Sequence, residues 1–465
     1  MSRKPGGPRQ IGERTDTAST VDEERLDVIT VLIGLLIGGM LIATAMVVPH
    51  LIDVGVGARF PPLNALWMPR WGPGTLPAVV IALLAVAAGP GLVLRLGWRP
   101  LLAATWLVST GWTMALATVD GPDGITHVFA SRYESLVQAA TVGDVHQMLG
   151  DFVSRIPSGA PDPWATHVAG HPAGNLLLFV VMTRVGLDTP LLVGLAAIIV
   201  GSSASAAALV LVRALATESL ARRAAPFLII APTALWIGVS ADAFYLAVTT
   251  WGLAVLALAC AAFREPANVG RARALAIVAG LLLGFGVYLS YGLVLMGIAA
   301  VAVLLAARTV APLGWAALGA AGVMAAFTLA GFSWWDAFPV LIERYHSGQA
   351  QDRPYWYWVW ANLAAWTCSA GLSVWVAIAQ LVRNRGYWSA TATRAVALVS
   401  GSALLMMGVA TMSGLSKSEC ERIWLPFTVL VLPLFALCPR RDARWLLGLQ
   451  ALAALVLQHL LLTTW

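Results

Sequence analysis

Long apolar runs recur along almost the whole of this chain and constrain its fold more than any other feature. A bilayer's hydrocarbon core is about 30 Å thick and a helix rises about 1.5 Å per residue, so a run of about 20 apolar residues can cross it. Such runs occupy residues 28–48, 76–95, 101–119, 189–213, 226–239, 243–262, 273–288, 291–307, 314–331, 358–381, 392–412, 424–438 and 444–463. The sequence therefore predicts an all-α polytopic membrane protein with about 13 transmembrane helices.

The composition excludes a soluble globular protein and gives no sign of a nucleic-acid partner. The chain is 59% hydrophobic and only 11% charged, whereas soluble domains carry about 25% charged residues. Its net charge of +6 comes from short basic clusters between apolar runs, as the positive-inside rule expects of cytoplasmic loops, and not from one basic face. The expected partner is the lipid bilayer.

The basic clusters also predict the sidedness of the loops. The apolar run at 176–185 is too short to cross a bilayer, and only if it stays in the interface do the later clusters all face the cytoplasm. The N-terminus is then cytoplasmic, the C-terminus is extracytoplasmic, and the protein resides in the plasma membrane. Residues 130–153 mix apolar and charged side chains at helical spacing, which predicts interfacial helices in a long extracytoplasmic loop.

These boundaries divide the chain into four regions. Residues 1–27 are polar and of mixed charge, and the apolar run after them is too long for a signal-peptide core, so they are predicted to form a disordered cytoplasmic tail. The other regions are an N-terminal transmembrane hairpin at 28–100, a core at 101–438 with extracytoplasmic loops 120–188, 332–357 and 413–423, and a C-terminal transmembrane helix at 439–465.

Acidic residues at the ends of apolar runs are the first candidates for chemistry. Asp120 and Asp123 lie in DGPDG, which ends a helix because Pro lacks an amide donor and Gly favours turns. They are either solvated acids of an ordinary turn or carboxylates at the water–lipid boundary, where partial desolvation makes a better general base. Asp120 is the better candidate because it is closer to the membrane. Asp242 lies between two apolar runs, and an ionisable residue near membrane depth indicates a functional site.

Further polar residues on the predicted outer face suit phosphate or sugar binding. His171 in GHPAGN is either structural or a phosphate contact. Arg344 and Arg353 lie among aromatic residues that form either an interfacial belt or a sugar-binding surface, and Arg is well shaped to bind phosphate oxygens. In SECERIWLPF, Arg422 either forms an ion pair with Glu419 or Glu421 or contacts a lipid phosphate. The outer acids are scattered, and their spacing specifies no metal site.

With these motifs in this order, the chain resembles the GT-C superfamily of integral-membrane glycosyltransferases, particularly the actinobacterial enzymes that use polyprenyl-phosphate sugars. The matching features, between about residues 101 and 438, are the acids Asp120 and Asp123 at the end of a span, HPAG at 171–174 (similar to the family's HPPG), Pro232, SADA at 240–243 and ECERIWLPF at 419–427. Two features depart from the pattern. This chain has HPAG where the family has HPPG. In the family the acid follows the first span, whereas here two further spans precede the span that ends at Asp120. Either residues 28–95 are an addition to the family's fold, or Asp53 is the residue equivalent to the family's acid.

The resemblance implies inverting transfer of a sugar, mannose or arabinofuranose, from a polyprenyl-phosphate donor to a cell-envelope glycan or glycolipid on the extracytoplasmic side. Asp120 or Asp123 would be the general base. The residues expected to contact the donor phosphate or sugar are His171, Arg422, Arg344, Arg353, Asp242 and Glu421. No cofactor and no metal are expected. The alternative is a transporter or flippase of lipid-linked glycans, which favours inverted repeats, broken helices and mid-membrane charges, whereas the sequence has no evident repeat.

Overall fold

The structure is a computed structural model that describes residues 25–463, apart from the side chains of residues 266 and 349. In chain order its α-helices are α1 (Val28–Leu51), α2 (Thr75–Arg95), α3 (Trp98–Ala117), α4 (Asp123–Thr126), α5 (Ser135–Ala139), α6 (Val145–Gly150), α7 (Thr166–Ala169), α8 (Ala173–Arg184), α9 (Pro190–Leu215), α10 (Glu218–Ile229), α11 (Ala234–Ile237), α12 (Asp242–Ala262), α13 (Val269–Leu289), α14 (Met296–Ala307), α15 (Leu313–Leu329), α16 (Trp334–Ser347), α17 (Tyr355–Ala370), α18 (Val374–Arg383), α19 (Thr391–Met412), α20 (Cys420–Ile423), α21 (Leu425–Val431) and α22 (Ala443–Leu460).

Short 3-10 segments and one small sheet complete the secondary structure. The 3-10 segments are Thr118–Asp120, Val153–Arg155, Pro266–Asn268, Tyr291–Leu295, Gln349–Asp352, Arg385–Trp388, Leu432–Leu437 and Arg440–Asp442. The strands β1 (Ala65–Trp67) and β2 (Leu461–Thr463) pair antiparallel, with Leu66 opposite Leu462. This sheet joins the loop after α1 to the segment that follows α22.

Within residues 25–463, eight helices are long and apolar enough to cross a membrane, and the count reaches ten if α15 with α16 and α17 with α18 each form one bent span. The all-α polytopic class is thus confirmed, but thirteen spans are not. The three other predicted runs lie at 226–239, 291–307 and 424–438, where the helices are short. Two of them are interrupted near prolines, Pro232 after α10 and Pro433 after α21, because a proline has no amide to donate and disfavours helix in the residue before it.

Contacts between loops define two ends of the helix bundle. At the first, which we call the site end, β1 pairs with β2, Arg70 forms an ion pair with Asp120 and Arg422 forms one with Asp242. At the second, which we call the basic end, Arg222 donates to the carbonyl oxygens of Val93 and Leu96 over 2.6 and 2.7 Å. Helix α2 begins at the site end and finishes at the basic end. The two groups of loops are those that the charge pattern placed together.

The residues before α1 are held at the basic end. The predicted tail at 1–27 lies mostly outside the described residues, which begin at residue 25. The amide of Leu26 donates to Asp442 Oδ2 over 2.8 Å, and Arg383 Nη2 donates to Asp27 Oδ2 over 2.9 Å. These contacts connect the start of α1 to α18 and α22.

The two helices of the predicted N-terminal hairpin pack against different neighbours. Helix α1 lies along α17 and α18, and Tyr357 donates from its hydroxyl to the carbonyl oxygen of Ala45 over 2.7 Å. Helix α2 packs against α3, α10 and α22. Both helices are therefore integrated into the bundle that carries the rest of the chain.

Helix α12 lies at the centre of the bundle and places the first residue of the site. It packs against α9, α13, α14 and α21. Of its most apolar stretch of 18 residues, 78% are buried. Helix α8, which follows HPAG, has 12 residues and is therefore about 18 Å long, too short to cross a bilayer, as expected. The predicted interfacial helices at 130–153 correspond to α5 and α6, joined by a turn.

Candidate functional site

Five segments of the chain meet at the site end in what we call the polar cluster, namely residues 134–135, 167–175, 242–245, 353 and 419–422. Glu134 precedes α5, His167 lies on α7, His171 lies between α7 and α8, and Arg422 lies on α20. The full set of residues in the polar cluster is Glu134, Ser135, His167, His171, Asn175, Asp242, Tyr245, Arg353, Glu419 and Arg422. Most of them are buried, so their polar atoms depend on one another for hydrogen bonds.

Arg422 is the hub of the cluster. Its Nη1 donates to Asp242 Oδ2 over 2.7 Å, and its Nη2 donates to Glu419 Oε2 over 2.6 Å. On the other side of Glu419, Arg353 Nη2 donates to Oε1 over 2.9 Å. The side chains of Arg422 and Asp242 are only 8% and 5% exposed. Acidic and basic groups thus alternate, and a phosphate that approached Arg422 would have to share or replace one of its carboxylates.

Glu419 stays ionised within this chain of charges. Burial alone would raise the pKa of its carboxyl, but the guanidinium groups of Arg422 and Arg353 outweigh that effect and hold the pKa at about 2. A carboxylate with two cationic partners needs no proton to be stable in a buried position. Glu419 therefore serves as a fixed negative charge that orients both arginines.

The two histidines form a second branch of the cluster. His167 Nδ1 lies 2.9 Å from Glu134 Oε1. Burial opposes ionisation of Glu134, but the hydrogen bond and charge of His167 and the more distant charge of Arg422 lower its pKa below the ordinary value. His171 Nδ1 lies 2.6 Å from the carbonyl oxygen of His167. Since a carbonyl only accepts, this nitrogen carries the proton.

Burial favours the neutral form of the His171 imidazole, in which the second ring nitrogen is an acceptor. Burial is the largest influence on this ring and lowers its pKa. With the proton on Nδ1, the lone pair is on Nε2, which is the state that accepts a hydrogen bond or a proton. The ring packs beside Tyr245 with centroids 5.7 Å apart.

A hydrogen-bonded row of neutral groups completes the site. The Tyr245 hydroxyl donates to Asn175 Oδ1 over 2.6 Å, and Asn175 Nδ2 donates to Ser135 Oγ over 2.7 Å. A small cavity lies among this row, the histidines and Arg422, with room for about one water molecule. In this state the site holds polar groups in fixed orientations but is closed to a sugar.

The segment that carries Glu419 and Arg422 has a strained backbone. Ser418 and Glu419 are consecutive non-glycine residues with φ of 68° and 61°, a left-handed conformation that costs about 1–2 kcal/mol per residue. Asn362 holds the segment, because its Oδ1 accepts from the Ser418 amide over 3.1 Å and its Nδ2 donates to the Ser416 carbonyl over 2.6 Å. Strain maintained in this way is typical of functional sites.

The two predicted catalytic acids lie outside the polar cluster. The carboxylate of Asp120 is paired with the Arg70 guanidinium, and its Oδ2 also accepts from Gln458 Nε2 over 3.0 Å. Asp123 is the exposed first residue of α4. Asp53, the alternative, is exposed and has a φ of 49°. The assignment of a base to one of these acids stays a prediction.

The remaining predicted residues have varied positions. Arg344 donates to the backbone carbonyls of Ile156 and Trp164, in the latter case over 3.0 Å, so it ties α16 to the long loop. Glu421 is buried beside the cluster, and among the described residues its Oε2 has no hydrogen-bond partner. Burial raises the pKa of Glu421 to about 7. Within residues 25–463, no group of three or more His, Cys, Asp or Glu side chains is arranged to hold a metal ion.

The structure therefore joins His171, Asp242, Arg353 and Arg422, and it adds residues that the sequence did not single out. Those additions are Glu134, Ser135, His167, Asn175 and Tyr245. The ion pair of Arg422 with Glu419 is one of the alternatives that the sequence left open. The sequence feature that pointed to this site was the concentration of histidines in one polar loop. The spacing of these histidines did not predict the partner of each one.

No protein-family model matches this chain, and no curated protein matches it. The resemblance to GT-C glycosyltransferases therefore rests on the sequence motifs alone.

Proposed function

We propose that this chain is a membrane glycosyltransferase of the GT-C type, which transfers mannose or arabinofuranose from a polyprenyl-phosphate donor to a cell-envelope glycan or glycolipid on the extracytoplasmic side. One observation carries the proposal. The motifs HPAG, SADA and ECERIWLPF each contribute a residue, His171, Asp242 and Arg422, to a single buried cluster. Motifs that are far apart in the sequence, such as SADA and ECERIWLPF, whose Asp242 and Arg422 are 180 residues apart, are brought together at one end of the bundle, as one reaction centre requires.

The proposed reaction forms a bond from the acceptor hydroxyl oxygen to the anomeric carbon of the sugar. The bond from that carbon to the phosphate oxygen breaks, and its electron pair leaves with polyprenyl phosphate. The hydroxyl proton passes to a carboxylate. Stabilising the charge on the departing phosphate is usually the largest contribution to catalysis, and Arg422 would supply donors and positive charge there, with His171 beside it in the same cluster.

Asp120 is the proposed base, with Asp123 as its alternative. Both oxygens of Asp120 are engaged, by Arg70 and Gln458. An acceptor hydroxyl would have to displace one of these contacts in order to reach the carboxylate. Substrate binding must also widen the small cavity, and we expect the long loop that carries α5–α7 to move when the donor enters.

We also infer thirteen passes through the membrane, with a cytoplasmic N-terminus and an extracytoplasmic C-terminus. Support comes from the three short apolar segments. For example, the segment containing α21 begins beside Arg422 at the site end and reaches Cys438, whose carbonyl accepts from Arg223 at the basic end. Such a segment travels the full distance between the two ends although its helix is short.

The direct test uses purified protein in liposomes, radiolabelled polyprenyl-phosphate mannose or arabinofuranose, and a glycolipid acceptor extract. We expect labelled product from the wild type. General acid–base catalysis contributes about 10²–10⁴-fold, so Asp120→Asn should lose at least about 100-fold in rate. Asp336→Asn, which changes an exposed acid on α16, is the matched control. Wild-type rates from Asp120→Asn would remove Asp120 from the mechanism and make Asp123→Asn the next variant.

A flippase of lipid-linked glycans is the second proposal, because two helix pairs are sharply bent. Helices α15 and α16 meet at 75°, and α17 and α18 meet at 109°, and broken helices are common in transporters. A fluorescent polyprenyl-linked glycan in the same liposomes distinguishes the two functions. Protein-dependent flipping without any sugar transfer would overturn the glycosyltransferase, whereas transfer without flipping would overturn the flippase.

A further inference from the structure

The basic end contains a groove that the proposed reaction does not use. It is a cavity of about 50 Å³ between α2, α10 and the start of α22. The residues that matter for its chemistry are Pro90, Leu94, Arg223, Phe227, Arg440 and Ala443. It lies at the opposite end of the bundle from the polar cluster, so it is a separate site.

The inner wall of the groove is apolar and rigid. Phe227 and Phe435 stack with ring centroids 4.2 Å apart and planes 3° from parallel. Pro90 and Leu94 of α2 form the outer wall, and Leu94 is 44% exposed. The groove therefore continues onto the apolar surface of α2, and an aliphatic chain could leave it without burying any polar group.

The mouth of the groove is strongly basic. Arg223 and Arg440 line it, and the exposed side chains of Arg441 and Arg444 follow in the same turn of chain. The exposed Arg95 ends α2 nearby. Arginine is the side chain best suited to hold two phosphate oxygens at once.

The acidic residues of this region are already committed to other contacts. Asp442 accepts from the Leu26 amide and from Trp445 Nε1, each over 2.8 Å. Glu218 is bound by Arg222 at 2.6 Å and by Arg213 at 3.0 Å. Asp442 keeps its negative charge, because its donors are neutral, but Arg223, Arg440, Arg441 and Arg444 outnumber it, so the net charge at the groove mouth is positive.

We propose that this groove binds an acidic phospholipid. The headgroup phosphate lies between Arg223 and Arg440, and one acyl chain follows Pro90 and Leu94 along α2. A basic pocket between membrane helices, open to the hydrocarbon and placed at the water boundary, is the arrangement that selects anionic over zwitterionic lipids. The site is independent of the proposed sugar transfer.

The experiment uses the purified full chain in detergent, with lipid binding followed by native mass spectrometry and by the thermal unfolding midpoint. Phosphatidylglycerol, phosphatidylcholine with the same acyl chains, and inorganic phosphate are added in parallel. We expect only phosphatidylglycerol to remain bound and raise the midpoint. Equal effects of the two lipids would overturn the proposal, and saturation by phosphate alone would replace the lipid with a free anion.

Variants locate the binding to this groove. One arginine near a lipid headgroup is worth roughly fivefold in affinity, so Arg440→Gln should weaken phosphatidylglycerol binding by about that factor, and Arg440→Lys should weaken it less. Arg271→Gln, at an exposed position on α13 outside the groove, is the control. Ala443→Phe fills the groove without changing charge and should also reduce binding. If Arg440→Gln and Ala443→Phe both bind like the control, the proposed location is wrong.

Discussion

At the scale of single residues, the balance of charge around Arg422 decides what the site can do. A buried ion pair gains little over water, but one buried charge without its partner is very costly. Arg422 compensates Asp242 and Glu419 together. Its replacement would leave Asp242 buried without its cationic partner and would leave Glu419 with Arg353 alone. The cluster is therefore more sensitive to loss of this one side chain than to most surface changes.

We expect Arg422→Met to lower the free energy of unfolding by about 3–5 kcal/mol, the usual cost of removing one partner from a buried pair. Unfolding in detergent, followed by circular dichroism, measures the effect. Arg394→Met, at an exposed position on α19, should stay within about 0.5 kcal/mol of the wild type. Equal stability of the two variants would mean that the cluster is hydrated and not buried.

Glu421 predicts a pH dependence of stability. Burial raises its pKa from 4.5 to about 7, so the folded protein binds this proton more tightly than the unfolded chain. The resulting stability is fully present below pH 4.5 and is lost as the pH rises through 7, by roughly 3 kcal/mol in total. Glu421→Gln should remove this part of the pH dependence and be relatively more stable above pH 7.

Unfolding of the wild type and Glu421→Gln between pH 4.5 and 8 provides the comparison. Glu419 does not interfere, because its pKa is lowered to about 2 and its contribution is lost only as the pH falls through that lower range. Parallel curves for the two proteins would show that Glu421 does not titrate in this window.

At the scale of elements, small residues let neighbouring helices approach closely. A Cβ added at Gly280 of α13 would lie 1.9 Å from the Ala316 carbonyl oxygen of α15, and one added at Gly319 of α15 would lie 2.3 Å from the Ile277 carbonyl oxygen. Membrane helices associate through packing of this kind, because lipid gives no hydrophobic driving force between them. The α13–α15 contact therefore depends on the absence of side chains.

Gly280→Ala should destabilise the protein by about 1–3 kcal/mol through overpacking. The matched control is Gly322→Ala on α15, where an added Cβ meets nothing within 4 Å. Both changes gain the same helix propensity, about 1 kcal/mol, so the difference between them isolates the steric term. Resistance to unfolding by added sodium dodecyl sulfate is a suitable measurement, and equal resistance would contradict close packing of α13 on α15.

The elements also show what hydropathy does not predict, which is where a segment breaks. Apolar composition predicted uninterrupted spans at 291–307 and 424–438, and the chain there forms short helices and 3-10 turns. In the bundle interior such breaks are tolerated, because neighbouring side chains satisfy the freed backbone groups. At the break between α17 and α18, Gln450 Nε2 donates to the Ala370 carbonyl over 2.9 Å. Hydropathy averaged over a short stretch of sequence cannot detect a compensating side chain that is 80 residues away.

At the scale of the whole molecule, the two ends of the bundle give a test of orientation. All four native cysteines are buried, so a membrane-impermeant maleimide should react with them slowly. Cysteine placed at Trp71, which is 82% exposed at the site end, should be labelled in intact cells. Cysteine placed at the exposed Arg441 of the basic end should be labelled only after permeabilisation. The reverse pattern would invert the proposed orientation, and labelling of both in intact cells would contradict opposite sides.

The sequence by itself determined the class of the protein, the positions of most helices and the sets of loops that share an end. Hydropathy and charge are local properties of the sequence. In a bilayer, hydropathy determines which segments can span the membrane, and the distribution of basic residues determines which side each loop faces. They also brought His171, Asp242 and Arg422 to notice as polar residues of one end. Only the tertiary structure decided that Arg422 pairs with Asp242, that Glu134 pairs with His167, and that Asp120 forms an ion pair with Arg70. These partners depend on how α5, α7, α12 and α20 pack in three dimensions, which no local pattern encodes.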